Sequence, residues 1–343
     1  MKLKASRFNP IFFFFVAVFL LAHCSQKPER ELQRSFYYWK TVFRLTQQER
    51  ESLQQLAVNH LYIKFFDVEW NAAKNAAEPV AEVIFKEPPP QPLKITPVVF
   101  ITNETIQQTS EAQIKELAGN IVKLLTSLSN GHRLSLSGEI QIDCDWTSST
   151  KAKYFALLQV IKQHASLRGK TLSATIRLHQ LKYISSTGLP PADKGLLMCY
   201  NMGNLRRPEI KNSIIELNEL KEYTANLKNY PLHLDIALPL FDWYVWFHEK
   251  EYKGLIRNQE FDLPGSKEKI LFHSDTTING FTFEKGDWLR YEGSDTRELL
   301  SSAQWISKQL AATKTNIILY HLDENNLTKY KLYELENLFN SFR

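Results

Sequence analysis

The chain has 343 residues, 43 % of them hydrophobic and 12 % aromatic, and its 42 Lys and Arg against 37 Asp and Glu give a net charge of +5. That length supports one large core or two ordinary domains, and the basic residues are dispersed rather than gathered into a stripe, which argues against nucleic acid as a partner. Three cysteines make no disulfide framework, no Cys or His spacing suggests zinc, and no glycine-rich phosphate loop appears, so neither a cofactor nor a metal is expected.

Lys2, Lys4 and Arg7 open the chain, and the apolar stretch IFFFFVAVFLLA then runs into Cys24. This reads as a secretory leader, too short and wrongly flanked for a membrane span. LLAHC resembles the lipobox of bacterial lipoproteins, with His23 where a small residue is usual. The resemblance implies a signal peptide over 1–24 and lipidation of Cys24. It also implies an exported protein held to a membrane of the cell envelope, with a polar tether over 25–34.

From 35 to 343 the sequence alternates strand-like runs with helical patterns. FYYWKTVF (36–43) precedes the helical TQQERESLQQLAVN, and HLYIKFFDVEW (60–70) follows. A polar excursion over 71–94 leads to ITPVVFIT (95–102) and a long amphipathic helix, SEAQIKELAGNIVKLLTSLSN. Then come EIQIDCDW, the helix KAKYFALLQVIKQHASL, TLSATIRLHQL, KGLLMCYNM, a helix over LNELKEYTANLKN, and LHLDIALPLF. Residues 243–298, with alternating aromatic and polar character, read as a β-rich excursion beside the last long helix; NIILYHLD and a final helix close the chain. Eight strand candidates mostly followed by helices predict an α/β fold, a (β/α)8 TIM barrel with insertions at 71–94 and 243–298. A doubly wound open sheet is the alternative, but its strands read as continuous apolar runs. Here Gln141, Asp143 and Asp145 share one face, as do Ser173, Thr175, Arg177 and His179. A polar line growing more reactive toward a strand's end suits a barrel with a site at its mouth.

Four strands carry a likeness to the glycoside hydrolase family 18 chitinases. IDCDW resembles that family's D-x-D-x-E strand, MCYNMG is similar to M-x-Y-[DN], IALPLFDW looks like G-x-P-x-Y-G, and ILYHLDEN resembles its last strand, with Tyr320 in place of Trp. The likeness covers strand ends only, about a quarter of the chain. It implies a glycan as ligand, a polymer bearing N-acetyl sugars, whose own acetamide serves as nucleophile. The protein then supplies a general acid, an orienting Asp and a Tyr hydroxyl.

Two alignments of the fourth strand are open. In one, Trp146 matches the family's Trp and Thr147 replaces the catalytic Glu, leaving a glycan-binding barrel. In the other, Asp145 takes the Glu position as general acid with Asp143 as its partner, although Asp is one methylene shorter. The resemblance places Tyr200 and Asn201 on the substrate. Arg177 and His179 face the same mouth, where Arg177 either contacts substrate or neutralises Asp143. Tyr320 and Asp323 end the last strand. Asp67 and Glu69 form a second acidic pair on one face, suited to sugar hydroxyls, to acid and base roles if the fourth strand lacks them, or to pairing with Lys64 or loop cations. Trp70, Trp243, Trp246 and Trp288 offer either stacking platforms or local packing. A scaffold with its mouth plugged by 243–298 is the third possibility. Cys144 and Cys199, on the parity opposite the acids, are expected to be free, buried thiols.

Overall fold

Eight parallel strands close on themselves, so no edge is left exposed: β1 (Glu31–Tyr38), β2 (His60–Asn71), β3 (Lys94–Ile101), β4 (Glu139–Asp143), β5 (Thr171–Arg177), β6 (Lys194–Met198), β7 (Leu234–Pro239) and β8 (Lys314–Tyr320). Each pairs with the next, and β1 pairs with both β2 and β8. The computed structural model describes residues 30–257 and 269–343; the leader and Cys24 lie outside the described residues. Helices α1 (Gln47–Gln55), α2 (Glu111–Gly131), α3 (Lys151–Gln163), α4 (Leu178–Lys182), α5 (Leu217–Tyr223), α6 (Thr296–Gln309) and α7 (Leu332–Asn340) connect or follow the strands. This is the expected (β/α)8 barrel.

The helices hold to the barrel by apolar stripes. In α2, Ile114, Leu117, Ala118, Ile121, Val122 and Leu125 are buried at the i, i+3, i+4 spacing that puts them on one face. At α1, Thr46 accepts from the Glu49 amide at 3.2 Å while Glu49 accepts from the Thr46 amide at 3.0 Å, satisfying two donors that a helix start leaves open. Gly195 lets neighbours close in on β6: a Cβ there would meet Leu234 Cδ2 at 2.7 Å and Ile176 Cγ1 at 2.9 Å.

Two departures from the regular pattern shape the mouth. β2 runs on into an antiparallel hairpin with Ala76–Val80, so no helix separates it from β3. Between β7 and α6, strands Asp242–His248, Glu251–Arg257, Lys269–Leu271 and Asp287–Gly293 form an antiparallel sheet of four. It has its own core around Tyr244, Ile256, Phe272, Phe283 and Leu289. This is the small β-rich insertion expected between the seventh and eighth strands.

Two boundaries differ from expectation. β1 begins at Glu31, inside the stretch 25–34 expected as a tether, and ends at Tyr38 rather than Phe43. Arg30 already belongs to the barrel: Nε donates to Ala312 O at 2.8 Å and Nη1 to Ser307 Oγ at 3.0 Å, while Nη2 reaches Ser307 O and Leu310 O at 3.1 Å each. It thereby caps the end of α6 below the strand N-termini. β5 stops at Arg177, because the chain turns directly into α4, where Gln180 Oε1 accepts from the Arg177 amide at 2.7 Å.

The floor of the barrel is polar and fully engaged. Lys194 Nζ lies 2.7 Å from Glu139 Oε2 and 2.6 Å from Asp235 Oδ2. Ser173 Oγ donates to Glu139 Oε1 at 2.6 Å, and the Asn316 amide donates to Asp235 Oδ1 at 2.9 Å. Above this layer Tyr37 donates to Gln141. Cys144 and Cys199 are free and buried, as expected. Among the described residues no helix is long and apolar enough to cross a membrane.

Candidate functional site

The C-terminal ends of the strands surround a cavity of about 820 Å³. Strand periodicity brings inward-facing residues to it, and a bulge in β2 between Lys64 and Phe66 shifts the parity so that both Lys64 and Asp67 line it. Asp143 from β4, Arg177 from β5 and Tyr200 and Asn201 beyond β6 also line it, together with Tyr320 and Asp323 at the end of β8. Asn201 holds a left-handed backbone with φ of 55°.

Asp143 is 2 % exposed and accepts from Thr175 Oγ1 at 2.6 Å. Burial pushes its carboxyl up to about 6; the charge of Asp145 adds to this, while Arg177 and the Thr175 hydroxyl oppose it. Asp145 has a different fate. Arg177 grips it from Nε, and from Nη2 at 2.9 Å, in a bidentate pair. Both Asp145 oxygens thus act as acceptors, its side chain remains 44 % exposed, and it does not line the cavity. Burial alone would lower Arg177, but Asp145 and then Asp143 outweigh it and raise its pKa. Arg177 therefore neutralises Asp145, whereas the sequence left open substrate contact or a pairing with Asp143.

Thr147, which stands at the glutamate position in the first alignment, is exposed and outside the cavity lining. Its hydroxyl bonds Ser149 Oγ at 2.8 Å, in the turn that opens α3. Trp146 is buried against the helices: it stacks on Tyr154 with centroids 5.2 Å apart and donates from Nε1 to Thr187 O at 2.9 Å.

Two other sequence candidates fall outside. Glu69 is exposed on the hairpin, opposite Glu78, so it does not act with Asp67 at the cavity. His179 is exposed in α4, because β5 ends before it and the helical turn carries its side chain away from the strand face. Asp67 pairs with Lys64 at 2.7 Å through Oδ2. Asp323 pairs with Lys40 at 2.9 Å; burial would push that carboxyl up, but Lys40 holds it below the usual range.

Tyr320 is the hub of an aromatic wall. Its ring lies 5.6 Å from Tyr37, 5.7 Å from Trp39, 5.4 Å from Tyr200 and 5.7 Å from Phe241. Of the tryptophans weighed from sequence, Trp243 lines the cavity. Trp246 packs on Phe283 and Trp288 stacks on Phe247, both within the insertion. Trp70 sits on the β2 hairpin, opposite Ala77. Trp39 was missed because the first strand read as continuing through it; in the structure it is the first residue past β1 and lines the mouth. Arg257 and His321 were missed as well, and only the folded insertion brings Arg257 near.

Three side-chain atoms at this cavity, Asp67 Oδ1, Tyr200 OH and His321 Nδ1, are buried without a hydrogen-bond partner. A buried polar group left unpaired is costly, so three at one cavity point to a polar ligand that completes them. Among the described residues no cluster of His, Cys, Asp and Glu is arranged to hold a metal. A second cavity, of about 910 Å³, lies between the insertion and the loop at 208–212 and shares Phe241 and Asp242 with the first.

No protein-family model matches the sequence, and no curated protein matches it. Solved structures do. The spore cortex-lytic enzyme SleL from Bacillus cereus is similar at a TM-score of 0.54 and 13 % identity, over 92 % of this chain and 75 % of that one. The GH18 chitinase ChiB from Flavobacterium johnsoniae is similar at 0.53 and 13 %, over 92 % and 94 %. A variant of the GH18 chitinase from Cycas revoluta, in complex with (GlcNAc)4, is similar at 0.55 and 11 %, over 90 % and 98 %. At such identities the likeness is one of architecture, and it agrees with the four strand-end motifs: this chain has the (β/α)8 barrel fold of the glycoside hydrolase family 18 chitinases.

Proposed function

We propose that the barrel mouth binds N-acetylated glycans and holds them without cleavage. The observation that carries this is the end of β4, where Asp145 is clamped by Arg177 and Thr147 faces solvent, so that neither candidate position presents an acid to the cavity. The binding apparatus is intact beside it. Trp39, Tyr320 and Trp243 offer ring faces for sugars. Tyr200 OH is free to donate to an acetamide carbonyl, and Asp67 Oδ1 is free to accept from a hydroxyl or amide. The chitinase from Cycas revoluta, whose fold this chain shares, is seen with (GlcNAc)4.

The test incubates full-length protein in mild detergent with N-acetylated and plain oligosaccharides, reading products by mass and binding by calorimetry. Intact N-acetylated ligand that binds is the expected result. Tyr200→Phe should weaken binding roughly five- to tenfold, the worth of one hydrogen bond, yet leave the thermal midpoint unchanged or higher, because the lost hydroxyl has no protein partner. A loss of stability instead would make Tyr200 a structural residue. Shortened products would favour a second reading, hydrolysis with Asp143 as the acid, which its buried position and its rise to about 6 support; Asp143→Asn would then abolish the cleavage.

We also propose that the protein is exported and tethered through lipid on Cys24, on the strength of the leader and its lipobox-like LLAHC. Cells fed an alkyne-bearing fatty acid should label the parent chain and not Cys24→Ser; equal labelling of both would sink the assignment.

A further inference from the structure

All eight barrel strands run in one direction, so the loops that lead from a helix into a strand gather at one end, opposite the mouth. They lie at 56–59, 132–138, 164–170, 188–193, 224–233 and 310–313. Their cations are Arg133, Arg168, Lys170 and Lys228, against a single acid, Asp193, which Lys162 matches at 2.6 Å. The acids in the strand starts at this end are matched as well: Glu31 by Lys314 at 2.7 Å, and Glu139 and Asp235 by Lys194 on the floor. Arg133, Arg168 and Lys228 are exposed and Lys170 is half-buried, and none of the four is in an ion pair among the described residues. This end therefore carries positive charge that the protein does not balance.

Helix dipoles explain only part of it. A cation in a last helical turn is favoured by the partial negative charge there, which accounts for Lys162 and Lys308. The four unmatched residues lie past those turns, where that attraction has faded. They are spread over the loops before β4, β5 and β7, so they form a broad field rather than a pocket. Such a field fits an extended anionic surface better than one small anion. The Arg30 latch is at this end too, and Cys24 is six residues before it. That proximity favours a bilayer over other polyanions.

We propose that this end of the barrel docks on the headgroups of an anionic bilayer, acting together with the lipid on Cys24. The inference rests on the tethering reading above and adds an electrostatic contact to it. A single acyl chain holds a membrane weakly and reversibly, and a polybasic patch is one of the second signals that make the attachment stable.

The test places full-length protein on vesicles of phosphatidylcholine alone or with about 30 % phosphatidylglycerol, which supplies the negative surface. A membrane-impermeant acylating reagent is added, and lysine modification is read by mass. Lys170 and Lys228 should react about fivefold more slowly, or slower still, on the anionic vesicles. Lys250, exposed in the insertion at the other end, should react equally on both. Salt at about 1 M, which cuts the screening length to about 3 Å, should remove the protection. So should Arg133→Glu combined with Arg168→Glu, with the thermal midpoint unchanged. Equal reaction of Lys170 and Lys228 on the two vesicles, or protection that survives salt and the double substitution, overturns the docking inference while the tether stands. Protein that fails to float with phosphatidylcholine vesicles overturns the tethering reading and this inference with it.

Discussion

Lys194→Met should destabilise the barrel by about 3–5 kcal/mol, the cost of removing one partner from a buried ionic cluster. The ammonium sits between Glu139 and Asp235, 2.7 Å and 2.6 Å away, and both carboxylates are buried. They do not depend on it equally. Asp235, which burial alone would push up, is held below the usual range by His233, Lys194 and the Asn316 amide. Glu139 lacks a backbone donor, and its burial outweighs Lys194, so its pKa is raised. With methionine in place, both acids gain protons more readily in the folded state than in the unfolded one. Stability lost at pH 8 should therefore be partly regained on acidification toward pH about 5. Urea unfolding of both proteins at the two pH values measures this. A variant as stable as its parent at pH 8 would show that the floor does not need the ammonium.

The second large effect belongs to Asp143. Its folded-state value, up at about 6 through burial, lies above that of the unfolded chain, so folding binds the proton more tightly. The stability contribution of this group is therefore highest below the unfolded value and is lost as pH rises from about 4 through about 6, by at most about 3 kcal/mol. Asp143→Asn retains an acceptor for Thr175 and removes the charge. The variant should be the more stable protein at pH 7 and should show a flatter profile between pH 4 and 6. The difference between the two unfolding curves isolates this group from Glu139, whose shift has the same sign. Parallel curves for parent and variant would refute the assignment.

The alternation of polar and apolar residues made β4 and β5 legible, because their inward faces carry Glu139, Gln141 and Asp143, and Ser173, Thr175 and Arg177, from floor to mouth. The same property hid the first boundary. Gln33 reaches His60 Nδ1 at 2.9 Å and Ser35 donates to Asn316 at 2.8 Å, so ELQRS is an inward-facing strand start that resembles a polar linker in the sequence. At the mouth, Asp143 and Arg177 line the cavity as their parity suggested, Tyr200, Asn201, Tyr320 and Asp323 line it where the strand-end motifs pointed, and Asp67 joins them through the bulge in β2. Asp145 shares that parity, yet a neighbouring strand's arginine turns it aside, and parity within one strand says nothing of such a cross-strand pair. Arg257 was beyond reach for a similar reason: only the folding of the insertion, over a hundred residues from Asp143 in sequence, sets it above the same mouth.

The Arg30 latch also fixes a direction. It holds residue 30 beneath the barrel, against the end of α6 and Phe342 past the final helix, on the face opposite the mouth. Cys24 is six residues earlier, a span of at most about 22 Å when fully stretched. If Cys24 carries a lipid, that leash is too short to let the barrel tumble freely. In that case Arg30, on the face opposite the opening, stays within that distance of the bilayer. A barrel leashed in this way by its base would leave its opening to the bulk side, the approach open to a long polymer strung above the membrane.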